Sequence, residues 1–392
     1  MYDHPLPLLG GLSAAEFLRD YWQKRPLLVR AALPDFPCPI SPEELAGLAC
    51  EDEVESRLIV QQPDQQPPWQ VRHGPFSEAD FLALPERQWT VLVQEINKHV
   101  PDFALLQQRF DFIPNWRLDD VMVSYAADQG GVGPHADNYD VFLIQGAGRR
   151  RWQLSEQDAG PDRLIPGLPL RVLADFQPQQ EYILEAGDML YLPPGVVHDG
   201  VALGDSTTIS VGFRAPNQVE LLSAYLADCL ASMDGERFYE DPDLAPQSNP
   251  GAITPAALNK VATIIRSLPL DDARISEWFG SFITDVRPGH YLPEPEAPLD
   301  APGFAAQLQQ HGELWRSEYA RFAYIEQAGG RRQLFVAGEV YPLEGAVVQA
   351  APLLCGQRRF SAAEIEQALA WPGMMALLLS LHQLGAIYFP SP

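Results

Sequence analysis

The sequence lacks the segments that carry a protein into or across a membrane. Residues 1–12 contain no basic stretch leading into an apolar one, and no apolar run approaches the length needed to span a bilayer. The few cysteines form no C-x-x-C pair, which favours free thiols in a reducing compartment over a disulfide or zinc framework. We therefore expect a cytoplasmic protein without a membrane partner. The four cysteines are Cys38, Cys50, Cys229 and Cys355.

Basic residues are also scarce. Only 27 Lys and Arg stand against 52 Asp and Glu, which gives a formal net charge of -25. This excess of negative charge repels phosphate backbones and anionic membrane surfaces, and at long range it attracts cationic proteins. We therefore expect no direct binding of nucleic acid, and we expect a basic protein partner.

The chain is long and apolar enough for more than one core. With 392 residues, 46% of them hydrophobic, two or three domains are expected. From Trp89 onward, short β-rich runs such as Val141 to Gln145 and Thr208 to Phe213 are separated by Gly, Pro and Asp. This pattern predicts an all-β barrel or sandwich over about 89–215, inside a first domain at 1–215.

Beyond the β-rich block the sequence period becomes helical. Residues 216–290 predict a small helical domain, which a proline-rich linker follows. Residues 300–392 then combine a hairpin around Gly329 and Gly330 with a helix that Ser361 caps, an arrangement that resembles a winged-helix module. The expected fold class is mainly β with α.

One helical stripe indicates self-association. Apolar residues from Leu221 to Met233 cover a broad face of the first predicted helix in 216–290. Such a face is too apolar for an exposed helix, so packing against a second copy predicts a homodimer through this domain. Burial against the protein's own barrel is the competing explanation.

Three side chains form a candidate metal site. His135 and Asp137 stand two residues apart, and His198 follows 63 positions after His135 in a Pro-Pro-Gly-Val-Val-His segment. Two imidazoles and one carboxylate make the facial triad of non-haem iron oxygenases, and residues i and i+2 share a face of an extended segment. A lone H-x-D is weak evidence, and a lone His after Pro-Pro-Gly could cap a loop. Their joint occurrence in a β-rich block favours the metal.

These motifs belong to a larger resemblance. Together with Phe17 to Arg30, Val141 to Trp152 (VFLIQGAGRRRW) and Gly187 to Gly195, they resemble a JmjC domain. Nearly the whole chain is similar to the bacterial ribosomal oxygenases that hydroxylate an arginine of large-subunit ribosomal protein sixteen, although residues 290–392 match mainly in layout. The resemblance implies a JmjC/cupin double-stranded β-helix barrel, a helical dimerisation unit and a winged-helix-like domain.

The resemblance also implies a chemistry. Fe(II) is the expected cofactor, 2-oxoglutarate and O2 the cosubstrates, succinate and CO2 the coproducts, and a basic ribosomal protein the substrate. Arg150 lies where the family places the cation that grips the remote carboxylate of 2-oxoglutarate. Arg149 and Arg151 are expected to face solvent, although an exchange of roles is open. Many JmjC proteins have a hydroxyl residue where this chain has Val132.

Another hydroxyl would then have to assist Arg150. Ser124 is the first candidate and Thr208 the weaker one, although a strand serine satisfied by the backbone is an equal alternative. If Ser124 faces the barrel interior, Asp120 and Met122 share its face of the strand and line the mouth with Tyr139. An acidic, aromatic and thioether lining suits a guanidinium substrate. The alternative is a core methionine beside a solvated aspartate.

Other functions stay open at this point. The enzyme could act on another protein, such as a histone tail, or on tRNA, or the chain could be an inactive JmjC-like binding module. A nucleic-acid regulator is disfavoured because residues 301–392 hold six Arg, no Lys and seven Glu, whereas a helix that reads a DNA groove needs positive charge.

Overall fold

The computed structural model describes residues 3–214, 216–233, 235, 237–286, 291–295 and 297–390. The chain divides into two compact units, Met1–Ala215 and Pro216–Pro392. The boundary between these two units falls at the end of the first domain proposed from the sequence, 1–215. The further division of the second unit near residues 290–300 stays a prediction, and residues 287–290 and 296 of that region lie outside the described residues.

Four short helices in the first unit begin at strong local signals. Ser13 and Ser41 each accept a hydrogen bond from the amide of a glutamate three residues on, whose carboxylate accepts the serine amide in return. These reciprocal bonds satisfy amides that the first helical turn leaves unpaired. The helices are α1 (Ala14–Asp20), α2 (Pro42–Leu48), α3 (Glu78–Leu82) and α4 (Pro101–Gln107).

Two antiparallel sheets make up the rest of this unit. The large sheet has the strand order β1-β9-β6-β11-β5-β4-β2-β3, and the small sheet has the order β10-β7-β8. β2 and β3 extend the large sheet from outside the 89–215 span. The strands are β1 (Leu27–Val29), β2 (Ser56–Gln61), β3 (Trp69–His73), β4 (Trp89–Val93), β5 (Leu118–Ala126), β6 (Val141–Ala147), β7 (Arg149–Ser155), β8 (Gln180–Glu185), β9 (Met189–Leu192), β10 (Val197–Ala202) and β11 (Ser206–Phe213).

The large sheet buries one face in an aromatic core. Phe17, Phe110, Phe142, Tyr191 and Phe213 are all fully buried, and the Phe110 and Phe142 ring centroids lie 4.7 Å apart. Each such side chain removes well over ~100 Å² of apolar surface from water. Because side chains alternate along a strand, residues of opposite parity on the same strands point to the other face, where the cavity described below lies.

The second unit begins with helices and ends with two three-stranded sheets, which have the orders β16-β12-β17 and β13-β14-β15. Its helices are α5 (Gln218–Ala231), α6 (Pro255–Arg266), α7 (Asp272–Thr284), α8 (Ala301–His311), α9 (Ala350–Gly356), α10 (Ala362–Ala368) and α11 (Met374–Gln383). Its strands are β12 (Glu313–Arg316), β13 (Phe322–Glu326), β14 (Arg332–Val336), β15 (Glu339–Leu343), β16 (Arg359–Ser361) and β17 (Ile387–Tyr388).

A second core holds the C-terminal part together. Phe304, Leu314, Phe360, Leu378 and Ile387 come from two helices and three strands and are buried in one cluster. The expected hairpin forms between β13 and β14, and the expected cap of Ser361 starts α10. No helix in the described part of the chain is both long and apolar enough to cross a membrane.

Candidate metal centre and cosubstrate pocket

His135 and His198 come together by backbone pairing. The amide of His135 donates to the carbonyl of His198 at 3.0 Å, and the amide of His198 donates to the carbonyl of His135 at 2.8 Å. This isolated antiparallel bridge places the H-x-D segment beside β10, the first strand of the small sheet. Residues that are 63 positions apart in sequence therefore become direct cross-strand neighbours.

Both imidazoles are oriented by carbonyl groups. Nδ1 of His135 lies 2.9 Å from the carbonyl oxygen of Gly133, and Nδ1 of His198 lies 3.0 Å from that of Val196. A carbonyl oxygen only accepts, so Nδ1 carries the proton and Nε2 keeps a free lone pair. The two Nε2 atoms lie 4.0 Å and 3.7 Å from the carboxylate oxygens of Asp137.

This donor set fits a divalent metal ion. One ligand atom each from His135, Asp137 and His198 lies within 4.8 Å of the other two. Two neutral imidazoles and one carboxylate on one side of an ion leave the other side open for further ligands. Burial, with the nearby His135 as the next cause, holds the pKa of His198 well below its ordinary value. Its imidazole is therefore neutral at physiological pH, the form that binds metal.

Glycines shape the loops that carry the triad. Gly133 has φ +90, and a Cβ there would meet the Trp69 ring and Val172 at 2.9 Å. Gly195 has φ +84 in the Pro-Pro-Gly turn, and its amide donates to the carbonyl of Asp137 at 2.8 Å. Both left-handed conformations strain any residue with a side chain, so these turns explain glycine at the two positions next to the triad.

The triad lines a cavity of about 380 Å³. Residues of one parity on the strands of the large sheet supply one wall, as the alternation of a strand requires. All nine site residues predicted from the sequence line this cavity: His135, Asp137, His198, Arg150, Ser124, Thr208, Asp120, Met122 and Tyr139.

Arg150 is a buried cation with spare donors. It is 3% exposed, and its guanidinium donates to Oγ1 of Thr208 at 3.3 Å and to the carbonyl of Gly200 at 3.0 Å. Its Nε has no hydrogen-bond partner among the described residues. Burial lowers the pKa of Arg150 to about 10, and the charge of Asp199 opposes that shift. The guanidinium remains charged at neutral pH and can accept a carboxylate ligand in the cavity.

The neighbours of Arg150 occupy different positions. Arg149 is exposed and Arg151 is half-buried, while Arg150 faces the cavity, as alternation along β7 requires. Ser124 and Thr208 are paired across β5 and β11. Of these two hydroxyls, the structure gives Thr208 the hydrogen bond with Arg150, whereas the sequence ranks Ser124 first.

Two of the predicted substrate side chains, Asp120 and Met122, lie on β5, and the third, Tyr139, lies just before β6. Asp120, Met122 and Ser124 have the same parity on β5 and line the cavity together. Asp120 is 9% exposed, and its Oδ2 accepts a hydrogen bond from Gln94 at 3.2 Å. Tyr139 is 42% exposed. An acid, a thioether and an aromatic ring therefore meet in the same pocket.

Comparison with known proteins identifies the family. A model of the JmjC domain matches residues 105–221, and a model of the ROXA-like winged helix matches residues 266–388. Over 382 residues the chain is 36% identical to the ribosomal protein uL16 3-hydroxylase of Escherichia coli K12, and the match covers 96% of this chain and 98% of that protein. The chain belongs to the JmjC ribosomal oxygenase family.

Solved structures of ribosomal oxygenases are similar to this chain over almost its full length. The X-ray structure of E. coli YcfD has a TM-score of 0.83 with 35% identity, covering 97% of this chain and 98% of that one. YcfD has also been solved in complex with cobalt and 2-oxoglutarate, and that structure has a TM-score of 0.80 with 35% identity over 96% and 98% of the two chains. The probable ribosomal oxygenase of Haemophilus influenzae is 39% identical over 58% of this chain and 54% of that protein.

The family membership confirms three expectations: the JmjC resemblance, the α+β fold class with a JmjC and a winged-helix domain, and the oxygenase class of enzyme. The individual roles of the site residues stay predictions.

Sequence reasoning missed several residues that line this ribosomal oxygenase's cavity. Arg57 and Ile59 come from β2, Gln94 follows β4, and Arg171 comes from the loop between β7 and β8. β2 was not predicted because its segment runs into proline and glutamine rather than a clear turn. The short apolar run from Leu58 to Val60, rich in β-branched residues, is the signal that could have revealed it.

Proposed function

We propose that this protein is an Fe(II)- and 2-oxoglutarate-dependent hydroxylase that acts on an arginine side chain of ribosomal protein uL16. One observation carries the proposal: the His135, Asp137 and His198 ligand atoms lie in the same cavity as the buried guanidinium of Arg150. A metal triad and a separate carboxylate-binding cation are the two requirements for 2-oxoglutarate. The E. coli relative's name as a uL16 3-hydroxylase supports the substrate.

The triad would hold Fe(II) through Nε2 of His135, Nε2 of His198 and a carboxylate oxygen of Asp137. When bound, iron with O2 and 2-oxoglutarate supplies the oxidising power, and the cosubstrate leaves as succinate and CO2 while one oxygen atom enters the substrate. The protein's contribution is to fix the ligand geometry. The carbonyls of Gly133 and Val196 hold the two imidazoles in the required tautomer.

Arg150 would bind the carboxylate of 2-oxoglutarate that is remote from the metal. A buried guanidinium offers donors in a planar fork, and low solvent exposure strengthens the charge-assisted bonds. Thr208 already contacts the guanidinium and orients it. Ser124 lies directly across from Thr208 in the strand register, so it can supply a further hydroxyl.

The mouth of the cavity would take the substrate arginine. Asp120 offers a carboxylate for the guanidinium, while Met122 and Tyr139 pack against the aliphatic stem and the cation. A side chain entering the cavity leaves its backbone at the rim, which favours an exposed loop of a free ribosomal protein. The net charge of -25 attracts such a basic substrate at long range. We place this reaction in the cytoplasm, where ribosomal proteins are made.

The helical segment would join two copies. Apolar side chains on α5 and on α6 are exposed in the single chain, and a homodimer would bury them. They are Val219, Leu222, Leu226, Leu230, Leu258, Val261, Ile264 and Ile265.

Two loop peptides of uL16 test the reaction directly, one with the native arginine and one with lysine in its place. Incubated with the protein, Fe(II) and 2-oxoglutarate, only the arginine peptide should gain an oxygen atom by mass spectrometry. Equal hydroxylation of both peptides would refute the guanidinium pocket. No reaction with either would point to another protein or to tRNA as substrate, or to an inactive binding module.

A further inference from the structure

Three polar side chains form a hydrogen-bonded chain along one wall of the cavity. Nη2 of Arg57 donates to Oε1 of Gln94 at 3.1 Å, and Nε2 of Gln94 donates to Oδ2 of Asp120 at 3.2 Å. All three line the cavity and come from three neighbouring regions of the large sheet. Arg57 and Gln94 belong neither to the metal triad nor to the proposed site around Arg150, so this hydrogen-bonded series of side chains has a separate explanation.

The strand register fixes the positions of these three hydrogen-bonded side chains. Arg57 of β2 pairs with Leu92 of β4, and Leu92 pairs with Ser124 of β5. Continuing the second register places Gln94 beside Met122 and diagonal to Asp120, within reach of a long side chain. The amide of Gln94 donates to the carbonyl of Glu55 at 2.9 Å, so the backbone at this position is fixed.

The chemistry of the three groups fixes which group donates and which accepts in each hydrogen bond. A guanidinium only donates and an ionised carboxylate only accepts, whereas a primary amide does both. Arg57 therefore donates to the side-chain oxygen of Gln94, and this leaves the NH2 group of Gln94 directed toward Asp120. The flipped amide would set donor against donor and acceptor against acceptor, so Arg57 selects one of the two orientations.

The amide also keeps the cation and the acid apart. Arg57 makes no direct ion pair with Asp120 in the described structure, because the Gln94 amide lies between them. The second oxygen of Asp120 faces Gly212, where an added Cβ would lie 3.1 Å from Oδ1. The hydrogen bond from Gln94 therefore orients Oδ2 of Asp120, while Oδ1 lies on the side of Gly212.

We propose that Gln94, oriented by Arg57, is a positioning residue that aims the carboxylate of Asp120 at the cationic side chain of the substrate. This inference rests on the proposed function, and it adds two specificity-determining residues to the same pocket. Neither residue is expected to touch the metal or 2-oxoglutarate.

The test compares Gln94→Ala with the wild-type full-length protein on the arginine and lysine peptides. The affinity for the arginine peptide should fall about tenfold and its KM should rise about tenfold, the scale of one hydrogen bond to a charged group. KM for 2-oxoglutarate should stay within about twofold, because Arg150 and Thr208 are untouched. Gln70 is an exposed glutamine on β3 of the same sheet, so Gln70→Ala is the matched control and should change none of these three constants.

A double-mutant cycle separates positioning from a general structural role. Arg57→Ala should weaken arginine-peptide binding in the same direction, and Arg57→Lys should restore part of the loss. If Arg57 acts only through Gln94, the Arg57→Ala/Gln94→Ala double variant should bind like Gln94→Ala alone. Additive losses, or tighter peptide binding by Arg57→Ala, would overturn the role of Arg57.

The outcomes distinguish this inference from the proposed function. Wild-type protein that hydroxylates the arginine peptide, with Gln94→Ala showing an unchanged KM and affinity, would overturn the inference and leave the reaction standing. Wild-type protein that binds the arginine peptide without hydroxylating it would overturn the proposed reaction, and the affinities alone would still decide the role of Gln94.

Discussion

At the scale of single residues, Arg150 is the most unusual group in the cavity. A guanidinium that is 3% exposed has lost most of its hydration, yet its contacts are a hydroxyl and a carbonyl rather than a carboxylate. Removing a cation from water is costly unless a counter-ion replaces the hydration. In the proposed function, the remote carboxylate of 2-oxoglutarate would supply that counter-ion.

The substitution Arg150→Ala tests this arrangement. We expect the Kd for 2-oxoglutarate to rise by about a hundredfold, or ~3 kcal/mol, the scale of removing one partner from a buried charged pair. Isothermal titration measures the change, and Arg149→Ala is the exposed control from the adjacent position. Normal binding by Arg150→Ala would transfer the role to Arg149 or Arg151.

Loss of one metal ligand from the triad should abolish the reaction. Asp137→Ala should abolish hydroxylation and reduce bound metal, because two imidazoles hold Fe(II) poorly. A chelator should likewise remove the activity of the wild-type protein, and added Fe(II) should restore it. Metal content by atomic emission and peptide hydroxylation are the measurements, with the exposed Asp175→Ala as control. Near-normal hydroxylation by Asp137→Ala would contradict the assignment of the triad.

How far these residues could be predicted depended on local signals. His135, Asp137 and His198 stand in motifs whose spacing and flanking glycines are visible in the sequence. Arg57 and Gln94 stand in no motif, and their place in the cavity follows from strand pairing between distant segments. Such pairing depends on tertiary contacts that a single sequence does not display.

At the scale of elements, Asp188 joins β1 to β9. Its carboxylate accepts the amide of Ala31 at 2.9 Å and the amide of Glu185 at 3.0 Å, and it lies 2.5 Å from the guanidinium of Arg30. Burial alone would raise the pKa of Asp188, but these donors outweigh it and hold the pKa below its ordinary value. The ionised carboxylate therefore stabilises the folded state.

We expect Asp188→Ala to lower the free energy of unfolding by about 2 kcal/mol at pH 7, since two partly buried backbone amides lose a charged acceptor. Because the folded-state pKa is depressed, this contribution is present above the unfolded pKa of about 4 and is lost as pH falls through the folded pKa. Urea denaturation of wild type and variant from pH 7 to pH 3 measures the difference. A difference that stays constant over that range would contradict the electrostatic origin.

Elements with clear local signals were predictable and the others were not. β9 is a short apolar run between Gly187 and Pro193, and the hairpin of β13 and β14 forms around Gly329 and Gly330, as the sequence predicts. β3 was missed because its residues are half-buried or exposed, so no apolar alternation marks the strand. β2 and β3 are stabilised by addition to the edge of a large sheet, and edge addition leaves little trace in local sequence.

At the scale of the whole molecule, the exposed apolar side chains on α5 and on α6 predict a dimer. Light scattering at micromolar concentration should give twice the chain mass of 43.5 kDa. Leu226→Asp, which would bury a charge at the interface in both copies, should give the monomer mass. Leu82→Asp, at a leucine that is 78% exposed on α3, should remain dimeric. Wild-type protein with the monomer mass would contradict the prediction.

We propose that this acidic enzyme adds one oxygen atom to an arginine of uL16. The most direct measurement is mass spectrometry of uL16 from cells that have the gene, from cells that lack it, and from cells that carry Asp137→Ala instead. We expect an extra oxygen atom on an arginine of uL16 in the first cells only. An identical mass of uL16 in all three would contradict this proposal.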